Sequence, residues 1–271
     1  MTFVHQHPQA LFVAWQSFQN RAIYPVARML SREATPRYEF TYVHGVLDAQ
    51  NHGFVPFREL SELRRVYLFA DLPPLFTNRL MPRSRPDFLD HLQRLGLPVA
   101  APNIPEPELI LARSEARKVT DKLEITAPPD FDTATRTWIY HGFARGVRHV
   151  EGAEGAMQAV QVGDLLRIER DGTNEWDARA LLVRRTDRAP LGFVPHILIE
   201  DLGWLMDHGV EVRAEVVKVN LSPAPVHQRL LVAFKAEHRA GFAPMSTQRF
   251  QPMGDGAGRL DLARIADLHP A

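Results

Sequence analysis

The chain has 271 residues, no cysteine, and 32 basic against 32 acidic side chains, so its formal net charge is zero. Disulfides, thiolate metal sites and cysteine nucleophiles are thereby excluded, and any contact with nucleic acid has to come from a local patch. A hydrophobic content of 45% with 24% charged residues supplies core material for one large or two modest domains. No apolar run is long enough for a membrane span, and MTFVHQHPQALFVAWQ lacks the basic start and apolar core of a secretory signal. A cytoplasmic location is the expectation.

In chain order, Leu11 to Trp15, Ile23 to Leu30 and Tyr38 to Val43 read as strands of an antiparallel meander, separated by the turn-prone Gln19-Asn20 and Thr35-Pro36. A short helix is predicted over Pro73 to Leu80. Ser84, Pro86 and Asp87 then open a second one, with Phe88, Leu89, Leu92 and Leu95 on one face and Gly96 as its stop. A third covers Glu106 to Arg113. Four prolines in PVAAPNIPEP forbid regular structure between the second and third helices.

Val119 to Ile125 is strand-like, and Ala127 to Asp130 is a break in which Asp130 and Asp132 are expected on a solvated loop. Beyond it, strands are predicted at Thr137 to Tyr140, Val147 to Val150, Leu165 to Glu169, Ala180 to Arg184, Leu191 to Val194, Val210 to Val219 and Leu230 to Lys235. One helix interrupts them, with Ile197, Leu198, Leu202, Leu205 and Met206 inward and Gly209 as its stop. Short strands with a single helix suggest a small barrel of the oligonucleotide-binding type. From Gly241 onward, Gly and Pro mark a tail expected to pack back only in part, with DGAG near Asp255 as a turn. The fold class is therefore α+β: a β-meander with helices over residues 1–126, then a mostly β barrel with one helix over 127–271.

The stretch ERDGTNEWDARALLV, Glu169 to Val183, carries more than a hairpin needs. Asp171 and Gly172 already make a turn. Asn174, Trp176 and Asp177 therefore read as side chains set out for presentation. Trp176 offers a stacking face, and Arg148 can fork onto a phosphate or lie flat on a base. Asp177 suits only a donor, such as a terminal sugar hydroxyl. Arg184 and Arg185, with Arg188 close by, form a basic cluster, and His149 and His196 complete the candidate set. Against these stand plain structural roles: Trp176 as a core aromatic, Asp177 as a turn acid, the arginines as a solvated face, the histidines as structural groups. Over Arg136 to Asn220 there are 11 Lys+Arg against 13 Asp+Glu, a balance of −2, which is poor for phosphate attraction.

With these residues in view, ARGVRHVEG, LLRIERDGTNEWDARALLV and PLGFVPHILIEDLGWLMDHG together resemble the HIRAN domain over about Thr137 to Asn220. Gly146, Val147, Arg148, Asn174, Asp177, Ala180, Gly192, Val194 and Pro195 carry the match. The resemblance implies an oligonucleotide-binding-like barrel that holds single-stranded DNA, in the studied helicase at a free 3′ end. Three positions depart from the family pattern: His149 and Trp176 stand where it has tyrosine, and Glu175 where it has proline. Earlier in the chain, LFVAW, YPVARMLSR, YEFTYVHGVL, LPPLFTNRLMPRSRPDFLDHLQRLGL and PELILARS resemble the N-terminal subdomain of HipA-type toxin kinases, a non-catalytic lobe that contacts partner proteins.

No phosphate-binding glycine loop, nucleophile elbow or metal-spaced cluster is present in the sequence. The reading is a non-enzymatic protein without a cofactor that recognises single-stranded DNA or DNA ends through Arg148, His149, Asn174, Trp176, Asp177, Arg184, Arg185 and His196. A protein partner would engage the N-terminal module. The alternative is a protein-interaction adaptor of a toxin–antitoxin or defence system that has lost DNA binding.

Overall fold

The structure is a computed structural model and describes residues 8–33, 35–99, 104–118, 121–174, 177–258, 260 and 262. The elements run β1 (Ala10–Gln16), β2 (Ile23–Ser31), β3 (Tyr38–Tyr42), α1 (Gly45–Asn51), β4 (Tyr67–Phe69), α2 (Pro74–Thr77), α3 (Phe88–Arg94), α4 (Pro107–Ser114) and β5 (Leu123–Thr126). They continue with β6 (Asp130–Asp132), β7 (Thr137–Phe143), α5 (Ala153–Met157), β8 (Leu165–Arg170), β9 (Leu181–Arg184), β10 (Pro190–Phe193), α6 (His196–Asp207), β11 (Val212–Val219) and β12 (Leu230–Glu237). The class is α+β, with antiparallel sheets and few helices. The chain separates into two compact units, but not as two consecutive halves. One comprises Met1–Arg85, Pro105–Pro128 and Ala243–Leu262; the other is built on Pro86–Ile104 and Pro129–Phe242.

The first unit is a five-stranded sheet in the order β4-β3-β2-β1-β5. Alternate residues of its strands, among them Val13, Ala27, Met29, Phe40 and Tyr42, form one apolar face with Phe54, Phe76, Leu111 and Ile125. Two tyrosines at this core carry buried hydroxyls. Tyr42 accepts the Phe57 amide at 2.9 Å, and burial pushes its pKa up to about 12 against the opposing effect of that bond. Tyr38 donates to Glu108 at 2.6 Å, and burial, then the bond to this acid, raises its pKa further still. Both phenols stay protonated because their anions would be desolvated.

Residues 243–258 of the tail pack on the first unit. The Val43–Pro252 bridge, the His44 amide on the Gln251 carbonyl and the Met253 amide on the Tyr42 carbonyl (both 2.9 Å) tie it to the end of β3. Phe250 meets Phe12 edge to face at 5.3 Å. The predicted DGAG turn is present, with Gly256 at φ +77°.

The second unit is a seven-stranded sheet in the order β10-β9-β8-β11-β12-β7-β6. It curls but does not close as a barrel by strand ladders. Beyond β7, one isolated bridge joins Arg145 to Phe193 of β10. Val147 to Val150, expected as a strand, instead forms a 3-10 turn over Val147–His149, entered through Gly146 at φ +63°. A left-handed residue there takes the chain out of the extended conformation that a ladder needs. Asp130 and Asp132, expected on a loop, lie on the short edge strand β6, paired to β7. Asp132 accepts the Ala134 amide at 2.9 Å, and hydrogen bonding, that of the Thr135 side chain foremost, lowers its pKa. Tyr140 donates to Asp201 of α6 at 3.1 Å inside the core, where burial first and Asp201 second hold the phenol well above its usual range.

The helix α3, from the N-terminal half of the sequence, belongs to this second unit. Phe88, Leu92 and Leu95 are buried as the periodicity predicts, whereas Leu89, expected on the same face, is 48% exposed. Gly96, at φ +66°, ends the helix so close to β11 and β12 that a Cβ would stand 3.1 Å from Leu231 Cδ2. Asn220 fixes it there by donating to the Arg94 carbonyl at 2.8 Å and the Gln228 carbonyl at 2.7 Å. Asn220→Ala leaves both carbonyls short of a partner and is expected to lower stability by about 1–3 kcal/mol, read by urea denaturation.

His91 on α3 supplies a pH test. Burial lowers its pKa from 6.5, with Arg94 adding to the effect and Asp87 opposing it. The unfolded chain therefore takes up this proton at higher pH than the native one. The contribution to stability is complete above the ordinary histidine range and is lost as pH falls through about 6.5 toward the lower native value. Denaturation midpoints measured from about pH 7.5 to 5.5 should fall less steeply in His91→Gln than in the parent.

Candidate nucleic-acid interface

The loop between β8 and β9 is built from acids that bind their own backbone. Asp171 Oδ1 accepts the Thr173 amide at 3.2 Å and its hydroxyl at 2.7 Å, and these bonds, the hydroxyl's foremost, lower the Asp171 pKa. Asn174 Oδ1 then accepts the Asp177 amide at 3.0 Å, and Asp177 Oδ1 the Arg179 amide at 2.9 Å. Finally the Ala180 amide bonds to the Asp177 carbonyl, and the Asp171 amide to the Ala180 carbonyl, both at 2.9 Å. Serial side-chain turns of this kind hold a loop open without a ladder. Asn174 is thus a positioning residue for Asp177, while Trp176 and Glu175 lie outside the described residues.

Asp177 retains a second oxygen. Its Oδ2 stands 3.2 Å from Nε2 of His196, the first residue of α6, and both side chains are 23% exposed. The sequence placed these two residues in one site, and the fold brings them into contact.

Two glycines build the opposite wall. Gly192, in β10 at φ +144°, lies so near the turn strand that a Cβ would sit 2.6 Å from the Arg145 carbonyl. Gly146 is similarly tight, with Phe193 Cδ2 3.2 Å from where its Cβ would be. Without side chains at these points, Arg145 and Phe193 exchange both backbone hydrogen bonds, at 2.7 and 2.8 Å. The 3-10 turn is thereby anchored to β10, and Val194, the next residue along, bonds to Leu181 at the start of β9 at 2.8 Å. Arg148 and His149 on this turn are exposed. The turn also packs against a second 3-10 turn, Val226–Gln228, in the β11–β12 loop, so His227 borders the same region.

The expected basic cluster is not free. Arg184 pairs with Glu169 at 3.1 Å and donates to the Arg188 carbonyl at 2.8 Å. Arg185 pairs with Asp187 at 3.2 Å and reaches the Ala156 carbonyl at 3.4 Å. These two cations hold their own hairpin together. Arg167, not singled out from the sequence, is exposed on β8 directly opposite Arg184. Its signal was the alternation Leu165, Arg167, Glu169, which puts these three side chains on one face of the strand.

The second unit is thus an α+β domain whose curled sheet gathers a basic turn, an acid-built loop and a helix start at one edge. The family model of the HIRAN domain matches residues 140–235, and this region carries a HIRAN domain. Among solved structures, a crystal structure of a protein from Lactobacillus plantarum is similar, at 22% identity and a TM-score of 0.32, covering 36% of this chain and 92% of that one. The crystal structure of the HIRAN domain of human HLTF is similar at 19% identity and a TM-score of 0.27, covering 37% and 77%. The same human domain in its DNA-bound conformation, solved by NMR, matches at 18% identity and a TM-score of 0.28, covering 37% and 76%. No curated protein matches the chain. The family match begins at residue 140, so the HipA-like likeness of the first 126 residues has no counterpart in it.

The role of Gly192 is testable. Gly192→Ala should cost about 1–3 kcal/mol by thermal denaturation and remove hydrogen-exchange protection at the Arg145 and Phe193 amides. Gly155→Ala, in α5 with nothing within 4 Å of the added carbon, should be neutral or stabilise by about 0.4–1 kcal/mol.

Proposed function

We infer that residues 140–235 bind nucleic acid, as single-stranded DNA or a DNA 3′ end, and that the protein does so without catalysing a reaction. The observation that carries this reading is the joining of the exposed Arg148–His149 turn to the strand that leads into the Asp177–His196 pair, within a HIRAN domain. Arg148 and His149 would meet phosphate or a base face, and Trp176, next to Asp177 in the sequence, would add stacking area. Asp177 would accept from a terminal 3′-hydroxyl once the ligand opens a way to its Oδ2, which the free domain shields from solvent, and its charge would disfavour a 3′-phosphate. The human relative's DNA-bound structure supports the class of ligand.

Few cations are free, so binding should be salt-sensitive but shallow. Fluorescence anisotropy with short single strands at several salt concentrations should give a log–log slope of about −1.5 to −3, from roughly two to four neutralised phosphates. Absence of binding at low salt overturns the reading. Asp177→Ala should erase a preference for 3′-hydroxyl over 3′-phosphate ends while sparing internal binding. Trp176→Ala should weaken every single strand by about 1–3 kcal/mol, whatever the chemistry of its end.

The pairing of Arg184 and Arg185 within their own hairpin favours a second reading, in which the domain serves a cytoplasmic protein-interaction adaptor and the N-terminal module engages the partner. No helix among the described residues is long and apolar enough to cross a membrane.

A further inference from the structure

The five-stranded sheet of the first unit has a second face, and its character is unusual for a buried surface. Register places Phe12 beside Arg28, Arg28 beside Thr41, and Leu30 beside Glu39, all on the side opposite the apolar core. Arg28 is 3% exposed and Glu39 fully buried, although a guanidinium and a carboxylate are among the groups least suited to burial. What covers them is the C-terminal strap, and it is read by its main chain. Glu39 Oε1 accepts the Gly258 amide at 2.7 Å, and Arg28 Nη2 donates to the Gly258 carbonyl at 2.5 Å.

The channel is tightest at two glycines spaced four apart. A Cβ at Gly254 would stand 2.7 Å from Val66 Cγ2 and 2.9 Å from Thr41 Oγ1. One at Gly258 would stand 2.9 Å from Leu30 Cδ1 and 3.3 Å from Glu39 Oε2. Between the bridge at Pro252 and the clamp at Gly258, selection is by backbone hydrogen bonds and absence of bulk.

We propose that this second sheet face is a receptor channel for an extended glycine-bearing segment, filled reversibly by residues 249–258 of the chain itself. Lifting a cover from polar groups exposes less apolar surface than lifting it from an apolar layer would. Here Arg28, Thr41 and Glu39 share the floor under the glycines with Leu30 and Val66, and water can solvate the three polar groups when the strap lifts. Glu39 is not abandoned at that moment, because the exposed Arg32, just past the end of β2, pairs with it. Apolar contacts come from Phe12 with Phe250 at one end of the strap, from Met253, and from Val66 and Leu30 beside the two glycines. The strap therefore has an apolar anchor and a polar, glycine-specific clasp. This assignment is independent of nucleic-acid binding by the second unit.

The test uses the full chain with Gly258→Val, which blocks the clasp in cis, and a fluorescein-labelled synthetic peptide of residues 243–262 with the parental sequence. Anisotropy should show the peptide binding the variant chain at least roughly tenfold more tightly than the parent, whose channel is occupied. A peptide carrying the same substitution should bind at least roughly tenfold more weakly than the parental peptide. A variant chain that keeps its far-UV circular dichroism and melting transition, yet takes up no peptide, overturns the proposal. Should the variant fail to fold, hydrogen exchange on the parental chain decides. Amides of Met253 and Gly258 exchanging about a hundredfold faster than those of Ala27 and Phe40 support a strap that lifts. Exchange at the rate of those core amides shows a permanent layer and overturns it.

Discussion

Arg145 and Phe193 exchange a single pair of backbone hydrogen bonds, and the geometry of the HIRAN region hangs on that contact. It is the link between β10, at one end of the sheet order, and the chain leaving β7. Through it the 3-10 turn with Arg148 and His149 is set beside the strand that leads into α6. The contact exists because Gly192 and Gly146 leave room for two backbones to approach. A sheet that joins across one bridge, and not across a full ladder, keeps an open edge, and the candidate binding groups lie along it. Closure by a complete ladder would have needed an extended Val147 to Val150, and the turn that presents Arg148 would be lost.

The electrostatics of that edge are economical. Asp171, Asn174 and one oxygen of Asp177 are consumed in shaping the loop, and Arg184 and Arg185 in holding the hairpin. Arg148, His149 and Arg167 stay exposed, whereas Asp177 Oδ2, beside His196, is shut away from solvent. A domain with so few uncommitted charges is suited to a small pocket at a strand end. It is poorly suited to a long groove tracking many phosphates, where affinity grows with each neutralised charge.

The two units share the chain in an interleaved manner. The polypeptide passes from one to the other at residues 85/86, 104/105, 128/129 and 242/243. Helix α3 lends Phe88, Leu92 and Leu95 to the second unit, and the strap returns Phe250 and Gly258 to the first. Burying each of these large apolar side chains is worth about 1.5–3 kcal/mol. Excising either unit as one continuous fragment therefore removes part of its core or leaves a foreign segment attached.

Much of this protein was legible in its sequence, because alternation and helical periodicity are local properties. The meander β1 to β3, the strands β7 to β12, the inward Ile197, Leu198, Leu202 and Leu205 of α6 and its stop at Gly209 all follow from patterns within a few residues, whereas Met206, expected inward, is only half-buried. The loop and the family motif also drew attention to Asn174 and Asp177, whose side chains the structure shows shaping the β8–β9 loop. Tertiary structure decided what local pattern cannot carry. It turned Val147 to Val150 from strand to 3-10 turn, because a backbone contact between residues 48 apart in the chain, Arg145 with Phe193, competes with extension. Arg184 and Arg185 were withdrawn from the candidate surface by acids and carbonyls that only folding brings near. Leu89 was left in solvent although it shares a helix with three buried neighbours. Residues 243–258, which by composition read as a loose tail, became the cover of a charged sheet face. Sequence patterns record where one side of an element must be apolar; which partner lies on that side is fixed only when distant segments meet.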